Sequence, residues 1–243
     1  MTDPAIRMEG VAKVYDGRRV VDGVDLEVAR GEVLAVMGPS GGGKTTLLRM
    51  MNGLTSPDEG TVQVGGVPLR YENDRDLPVR RDMAYILQKP VSFTSSVHDN
   101  VAYALRVRGV QEMGDRVERS LTMVGLSSLS GQMATKLSGG EMQRMAFARA
   151  TVFEPSILLL DEFTANLDPK NVAMLEQAAL RFHEERNATL VIVTHNLFQA
   201  RRISDRAALM MDGALVEVGP TEEVFERPRD ERTRAFVSGE MVF

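Results

Sequence analysis

Short apolar runs alternate with amphipathic stretches along this chain, and the period of each run sets the element it predicts. Val24, Leu26 and Val28 alternate with Asp25 and Glu27, the two-residue period of a strand buried on one face. Residues 11–15 and 18–21 flank Asp16-Gly17, a dipeptide suited to a tight hairpin. Residues 33–37, Val-Leu-Ala-Val-Met, are apolar without interruption, as in a parallel strand covered on both faces. A helix is predicted from Lys44 to Met51, ending near Gly53. Alternation over 61–67 and an apolar run at 83–87 predict further strands. From 89 to 153 the period turns helical, as at 101–107 and 116–124, with Gly125 and Gly131 as breaks. Strand-type runs return at 157–160 and 189–193, each before a helix, and Asp212-Gly213 turns a second hairpin between 207–211 and 214–218. This alternation predicts an α/β core on a parallel sheet, with a helical insertion at about 89–153.

Composition narrows the class. At 243 residues, 43% hydrophobic and 26% charged, the chain can bury a sizeable core and is not disordered. Its 29 Lys+Arg against 34 Asp+Glu leave a net charge of −5, which argues against a dedicated nucleic-acid binder. Cysteine is absent, so no disulfide framework, thiolate metal site or cysteine nucleophile is available. The opening MTDPAIRMEG lacks a charged region followed by an apolar one, so no secretory signal is expected. The apolar runs fall far short of the ~20 residues of a membrane span. A soluble intracellular protein is expected, tied to a membrane only through a partner.

The most specific pattern follows the 33–37 strand. Gly38, Pro39, Ser40, Gly41, Gly42, Gly43, Lys44 and Thr45 fit G-x-x-x-x-G-K-[ST] between a strand and a helix. Glycines let the backbone curl so that successive N–H groups converge on phosphate oxygens, helped by the helix N-terminus. Lys44 would reach the β- and γ-phosphates and the Thr45 hydroxyl would bind Mg²⁺. As a mere glycine-rich turn, the same stretch would use Lys and Thr only for capping. The 157–160 run ends in Asp161-Glu162. A carboxylate at the end of an apolar strand can hold Mg²⁺, and because adjacent strand residues face opposite ways, Glu162 is free to address the attacking water. Alone, the pair would read as a polar loop start; beside a phosphate loop it reads as machinery.

Ser138-Gly139-Gly140-Glu141 is a capping box that starts a helix running towards Phe153. A capping box needs no glycines, and each costs a helix roughly 1 kcal/mol against Ala. The pair therefore points to close backbone approach, and its free N–H groups with the Ser138 hydroxyl also suit an anion.

The phosphate loop, Leu137-Ser138-Gly139-Gly140-Glu141 and the 157–161 strand stand in the order found in ATP-binding subunits of ABC transporters. The chain resembles that family over essentially its whole length; kinases and GTPases share the phosphate loop without the second motif. The resemblance implies a P-loop NTPase (RecA-like) core with an antiparallel β subdomain, about 1–88 and 154–243, and a helical subdomain at about 89–153. It implies ATP and Mg²⁺ as cofactors, with Thr46 joining the phosphate loop and Gln88 joining Thr45 and Asp161 at the metal. Tyr15 matches the aromatic that stacks on adenine, and Gln88 the glutamine that links core to helical lobe. His195 matches the histidine that contacts the γ-phosphate and orients Glu162, the implied general base. Asp168 matches the aspartate that follows the catalytic strand, and it also suits the N-cap of a helix with Pro169 at its first position. His98 and His183 match no motif and are expected at the surface. One departure is Phe163 where the family usually has Pro, which is expected to loosen the turn carrying Glu162.

The family further implies that Ser138, Gly139 and Gly140 close on ATP held by a second copy of the chain, in a head-to-tail homodimer. Membrane-spanning permease subunits would dock near Gln88 and 89–101, and a periplasmic or surface solute-binding protein would complete the complex. The expected place is the cytoplasmic face of the membrane. Gln88-Lys-Pro90, Phe93, Ser96-Val97, Asn100-Val101, Thr194-His-Asn196 and the ending Phe236-Val-Ser-Gly-Glu-Met241 are similar to ATPases of oxyanion importers, of the tungstate and phosphate types, with the tail leaning to tungstate. Export ATPases, and ABC ATPases acting on ribosomes or DNA, stay open as alternatives. Ribosomal members normally pair two cassettes and DNA-repair members insert coiled coils or zinc modules, neither of which this sequence carries.

Overall fold

The computed structural model describes residues 3–71 and 76–240; Met241, the last residue of the tail motif, lies outside them. An antiparallel sheet is built from β1 (Ile6–Tyr15), β2 (Arg18–Val28), β4 (Glu59–Val64) and β5 (Val67–Pro68), in the order β2-β1-β4-β5. Asp16 and Gly17 both sit at positive φ, 50° and 76°, the geometry that matches a two-residue turn to strand twist. The 61–67 alternation does not form one strand. Gly65 and Gly66, at φ 57° and 81°, turn the chain between β4 and β5. The alternation of Val62 and Val64 stops at the two glycines, and Val67 falls out of phase with it.

A second sheet contains β3 (Val33–Met37), β6 (Met83–Ile86), β7 (Ile157–Asp161), β8 (Thr189–Val193), β9 (Arg206–Met211) and β10 (Ala214–Pro220), ordered β10-β9-β3-β8-β7-β6. β9, β3, β8, β7 and β6 run parallel, and β10 pairs antiparallel with β9. Both faces are covered, which explains the uninterrupted apolar run of β3. Leu34 and Val36 pack against the antiparallel sheet and α1 (Lys44–Met51). Ala35 and Met37 pack with α7 (Leu197–Ile203), α8 (Thr221–Glu226) and α9 (Glu231–Val237).

After a short α2 (Leu77–Arg81) that leads into β6, the chain between β6 and β7 is helical, as its period predicts: α3 (Val97–Arg106), α4 (Gly114–Met123) and α5 (Gly139–Thr151). Their apolar faces share one core with α6 (Pro169–Arg186) and the near face of the sheet, through Val101, Leu105, Leu121, Phe147 and Leu160. Gly125, at φ 65°, follows α4, as its break position suggests. His183 is not a plain surface residue: it is half-buried, and its Nδ1 lies 2.8 Å from the Ala188 carbonyl beyond the end of α6.

Candidate active site

Parallel strands finish on one side of a sheet, and ligands of open α/β sheets bind beyond those carboxyl ends. Here the ends of β3, β6, β7 and β8 deliver the glycine loop, Gln88, the Asp161–Glu162 pair and His195 to one place. They border a cleft of about 320 Å³, lined by Val20, residues 40–46, Gln88 and Glu162.

Two loop glycines are required by contact. A Cβ on Gly38 (φ 144°) would stand 2.0 Å from the Met210 carbonyl oxygen, and one on Gly43 (φ 96°) 2.3 Å from that of Val20. Gly43 is also the N-cap of α1 and offers no side-chain cap, which leaves the first N–H groups of the helix for a ligand. Lys44 is buried, and its Nζ donates to the Gly38 and Pro39 carbonyls at 2.9 and 2.6 Å. Burial lowers its ammonium from the ordinary value, while the charges of Glu162 and Asp161 act in the opposite sense.

The two carboxylates divide. Asp161 faces inward, and its Oδ1 accepts from Thr45 Oγ1 at 3.0 Å and its Oδ2 from the Tyr85 hydroxyl at 2.7 Å. Burial, then the bond to Asp161, raises the Tyr85 phenol above its ordinary value. Glu162 faces the cleft: Gln88 Nε2 donates to its Oε2 at 2.7 Å, and His195 Nδ1 stands 3.4 Å from its Oε1. Its own backbone is left-handed, at φ 46°, a conformation that needs support from its surroundings. Support comes from the Glu162 N–H donating to Val193 O and the Ala165 N–H donating to Glu162 O, both at 2.9 Å. Phe163 supplies the rest. Its side chain is 1% exposed, in the core shared with α5 and α6. The turn is thus anchored by a buried ring, which corrects the expectation that losing Pro loosens it.

Thr45 and Asp161 offer hard oxygen donors that suit Mg²⁺, a cation that keeps waters and completes its shell with phosphate oxygens. Among the described residues no group of three or more His, Cys, Asp or Glu is placed for a metal.

The remaining expected residues lie outside this cleft. Tyr15, 43% exposed, ends β1 and does not line it. Ser138 caps α5 in the anticipated box, with Ser138 N–H donating to Glu141 Oε2 at 2.8 Å and Glu141 N–H to Ser138 Oγ at 3.4 Å. The glycines after it differ. A Cβ on Gly139 meets nothing within 4 Å, whereas one on Gly140 would stand 2.5 Å from Asn171 Nδ2. A side chain at 140 would thus meet the chain's own Asn171, and one at 139 would stand free. Asn171 donates in turn to Asp168 Oδ2 at 2.5 Å, and Asp168 caps α6 through the N–H groups of Lys170 and Asn171.

Sequence reasoning missed Tyr85, which sits inside an apolar strand, and Val20, whose carbonyl shapes the loop. It also missed a buried network. Gln199 Nε2 donates to Thr164 Oγ1 (2.8 Å) and Glu176 Oε1 (2.9 Å), and Arg202 pairs with Glu176. This ties the turn after Glu162 to α6 and α7.

The family model described as ABC transporter matches residues 21–165. The chain belongs to this family. A phosphate import ATP-binding protein of Natronomonas pharaonis is 40% identical to this ABC ATPase over 100% of the chain and 89% of its own length. A probable anion import ATP-binding protein of Haloferax volcanii is 43% identical over 92% of the chain and 83% of its own length. A molybdate/tungstate import ATP-binding protein of Thermococcus kodakarensis is 40% identical over 98% and 71%. Import proteins named for spermidine/putrescine and for methionine match at 39% and 37% identity. Among solved structures, an ATP-binding cassette described as dimeric, in a post-hydrolysis state with ADP and phosphate, superposes with a TM-score of 0.82 at 29% identity, covering 89% of this chain and 98% of its own. The ABC ATPase fold, a P-loop core carrying parallel and antiparallel sheets, is therefore the fold of this chain. Hydrolysis of ATP coupled to transport is the activity that membership carries. No helix among the described residues is long and apolar enough to cross a membrane.

Proposed function

We propose that this ABC ATPase drives import of an oxyanion such as phosphate or tungstate, hydrolysing Mg²⁺-ATP in a head-to-tail pair of chains. The observation that carries the catalytic reading is the Glu162 carboxylate, held between Gln88 and His195 at the mouth of the phosphate loop. Phosphoryl transfer asks mainly for positioning and charge stabilisation. The amides of 41–45 and the Lys44 ammonium would bind the β- and γ-phosphates. Thr45, Asp161 and Gln88 would hold Mg²⁺, which would supply neutralisation of the charge that develops on the phosphates. Glu162 would take the proton of the attacking water through Oε1 or Oε2, with Gln88 and His195 orienting it. Tyr15 would stack on the adenine ring.

Ser138 and Gly139, open to solvent, would with Gly140 contact the γ-phosphate held by the other copy, and Asp168 would lie at the same junction. The dimeric relative with ADP and phosphate supports this pairing. For the permease, the supporting feature is an apolar fringe: Leu87, Val91, Phe93, Tyr103 and Val107 are exposed around β6 and α3. A groove of about 230 Å³ runs beside them, walled by 83–87, Pro90, Arg149 and Phe153. A solute-binding protein would deliver cargo on the far side of the membrane. The import assignment and the anion class rest on the relatives' names; no residue here is expected to touch the cargo.

The test is ATP turnover by the chain reconstituted with its permease and solute-binding protein. Stimulation by phosphate or tungstate, abolished by Lys44→Ala, supports the reading. Stimulation by methionine or a polyamine instead overturns the cargo, and turnover that survives Lys44→Ala overturns the site.

A further inference from the structure

Tyr85 stands where the parallel pairing of β6 and β7 sets it opposite Leu159, two residues before Asp161 on that strand. Strand alternation puts Leu159 and Asp161 on one face, so a phenol is long enough to bridge the step. Its hydroxyl donates to Asp161 Oδ2 at 2.7 Å, while Thr45 Oγ1 donates to Oδ1 at 3.0 Å. Both oxygens of a buried carboxylate are thus engaged, one by the phosphate loop's own helix and one by the neighbouring strand. The ring packs against the apolar cluster that holds Met83, Ile157 and Leu159, a setting that an apolar side chain of similar size would fill equally well. Packing alone therefore does not call for the hydroxyl.

We propose that Tyr85 is a positioning residue for the divalent cation, its hydroxyl fixing the Asp161 carboxylate so that Oδ1 stays beside Thr45. The proposal rests on the reading of Thr45 and Asp161 as cation ligands. A carboxylate free to turn about its Cβ–Cγ bond spreads its charge over several orientations. Pinning one oxygen sets the other in place before the cation arrives, and losing a partner that orients a metal ligand commonly weakens metal affinity about 10–100-fold.

The experiment titrates Mn²⁺, as a paramagnetic stand-in, into the full chain loaded with a non-hydrolysable ATP analogue, reading free Mn²⁺ by electron paramagnetic resonance. Tyr85→Phe is expected to weaken Mn²⁺ binding at least about 10-fold, with analogue binding in EDTA unchanged. Tyr85→Met, which also lacks the hydroxyl, should lose as much. Wild-type Mn²⁺ affinity in Tyr85→Phe, or a loss confined to Tyr85→Met, overturns the role of the hydroxyl. An equal loss of analogue binding in EDTA overturns it too, because the defect then lies in the phosphate loop. Wild-type protein that takes up analogue but no Mn²⁺ overturns the Thr45–Asp161 cation site itself, and this proposal with it.

Discussion

Gln88 and Glu162, on loops that follow different strands, share a hydrogen bond of 2.7 Å from Nε2 to Oε2. With His195 Nδ1 at 3.4 Å from the other oxygen, the carboxylate is steadied from two sides before any substrate arrives. Replacing Glu162 by Gln keeps the shape and removes the base. Phosphate release should fall by about 10²–10⁴-fold, while nucleotide binding holds and ATP traps a dimer on size-exclusion chromatography. Normal release by Glu162→Gln would reject the base assignment.

The two glycines at the start of α5 should respond oppositely to one methyl group. Gly139→Ala meets open space and relieves a glycine's helix cost of about 1 kcal/mol, so thermal stability should hold or rise. If Gly139 faces a second copy, ATP-driven pairing should nonetheless drop at least about 10-fold, because the methyl occupies the contact. Gly140→Ala pushes the Asn171 amide off Asp168, and after the same helix gain of about 1 kcal/mol it should still come out destabilising by about 1 kcal/mol, a few degrees of melting temperature. Adding Asn171→Ala removes the colliding atoms and should recover most of that loss; strict additivity would refute the clash.

Glu141 accepts from both the N–H and the hydroxyl of Ser138, and these bonds hold its carboxyl below the ordinary value of 4.5. A folded-state value below the unfolded one means the contribution is complete above about 4.5 and lost as pH falls through the lower, folded value. The protection of amides at the first turn of α5, taken against the intrinsic exchange rate at each pH, should therefore fall on acidification more in wild type than in Glu141→Gln, which cannot titrate. At neutral pH, Glu141→Ala should cost about 1 kcal/mol by loss of the box. Identical acid profiles for the two proteins would show that the charge of the Glu141 carboxylate contributes nothing.

Phe163 holds the Glu162 turn by filling core space. Phe163→Ala should cost about 3–5 kcal/mol in urea unfolding. Phe163→Leu, which keeps much of the volume, should retain turnover close to wild type. A loss of turnover in the Leu variant without a loss of stability would place Phe163 in the chemistry instead of the scaffold.

Much of this architecture is written in local pattern. The apolar runs of β3, β7 and β8 carry the sheet, and the glycine loop, the capping box and Asp168-Pro169 mark the starts of three helices where the structure has them. These features depend on neighbours within a turn or a strand step. What stayed hidden depends on which strands lie side by side. Tyr85 meets Asp161 across 76 positions of chain, and Gly140 gives way to Asn171 from another helix. Phe163 reads as a defect beside Glu162 until the core behind it is known. The Gly65–Gly66 turn is legible as a glycine pair after which Val67 breaks phase with Val62 and Val64.

The fringe of Leu87, Val91, Phe93, Tyr103 and Val107 adjoins β6, the last strand of its sheet. A copy made in excess of its membrane partners would leave both greasy side chains and an unpaired backbone rim facing water, the combination that invites clumping.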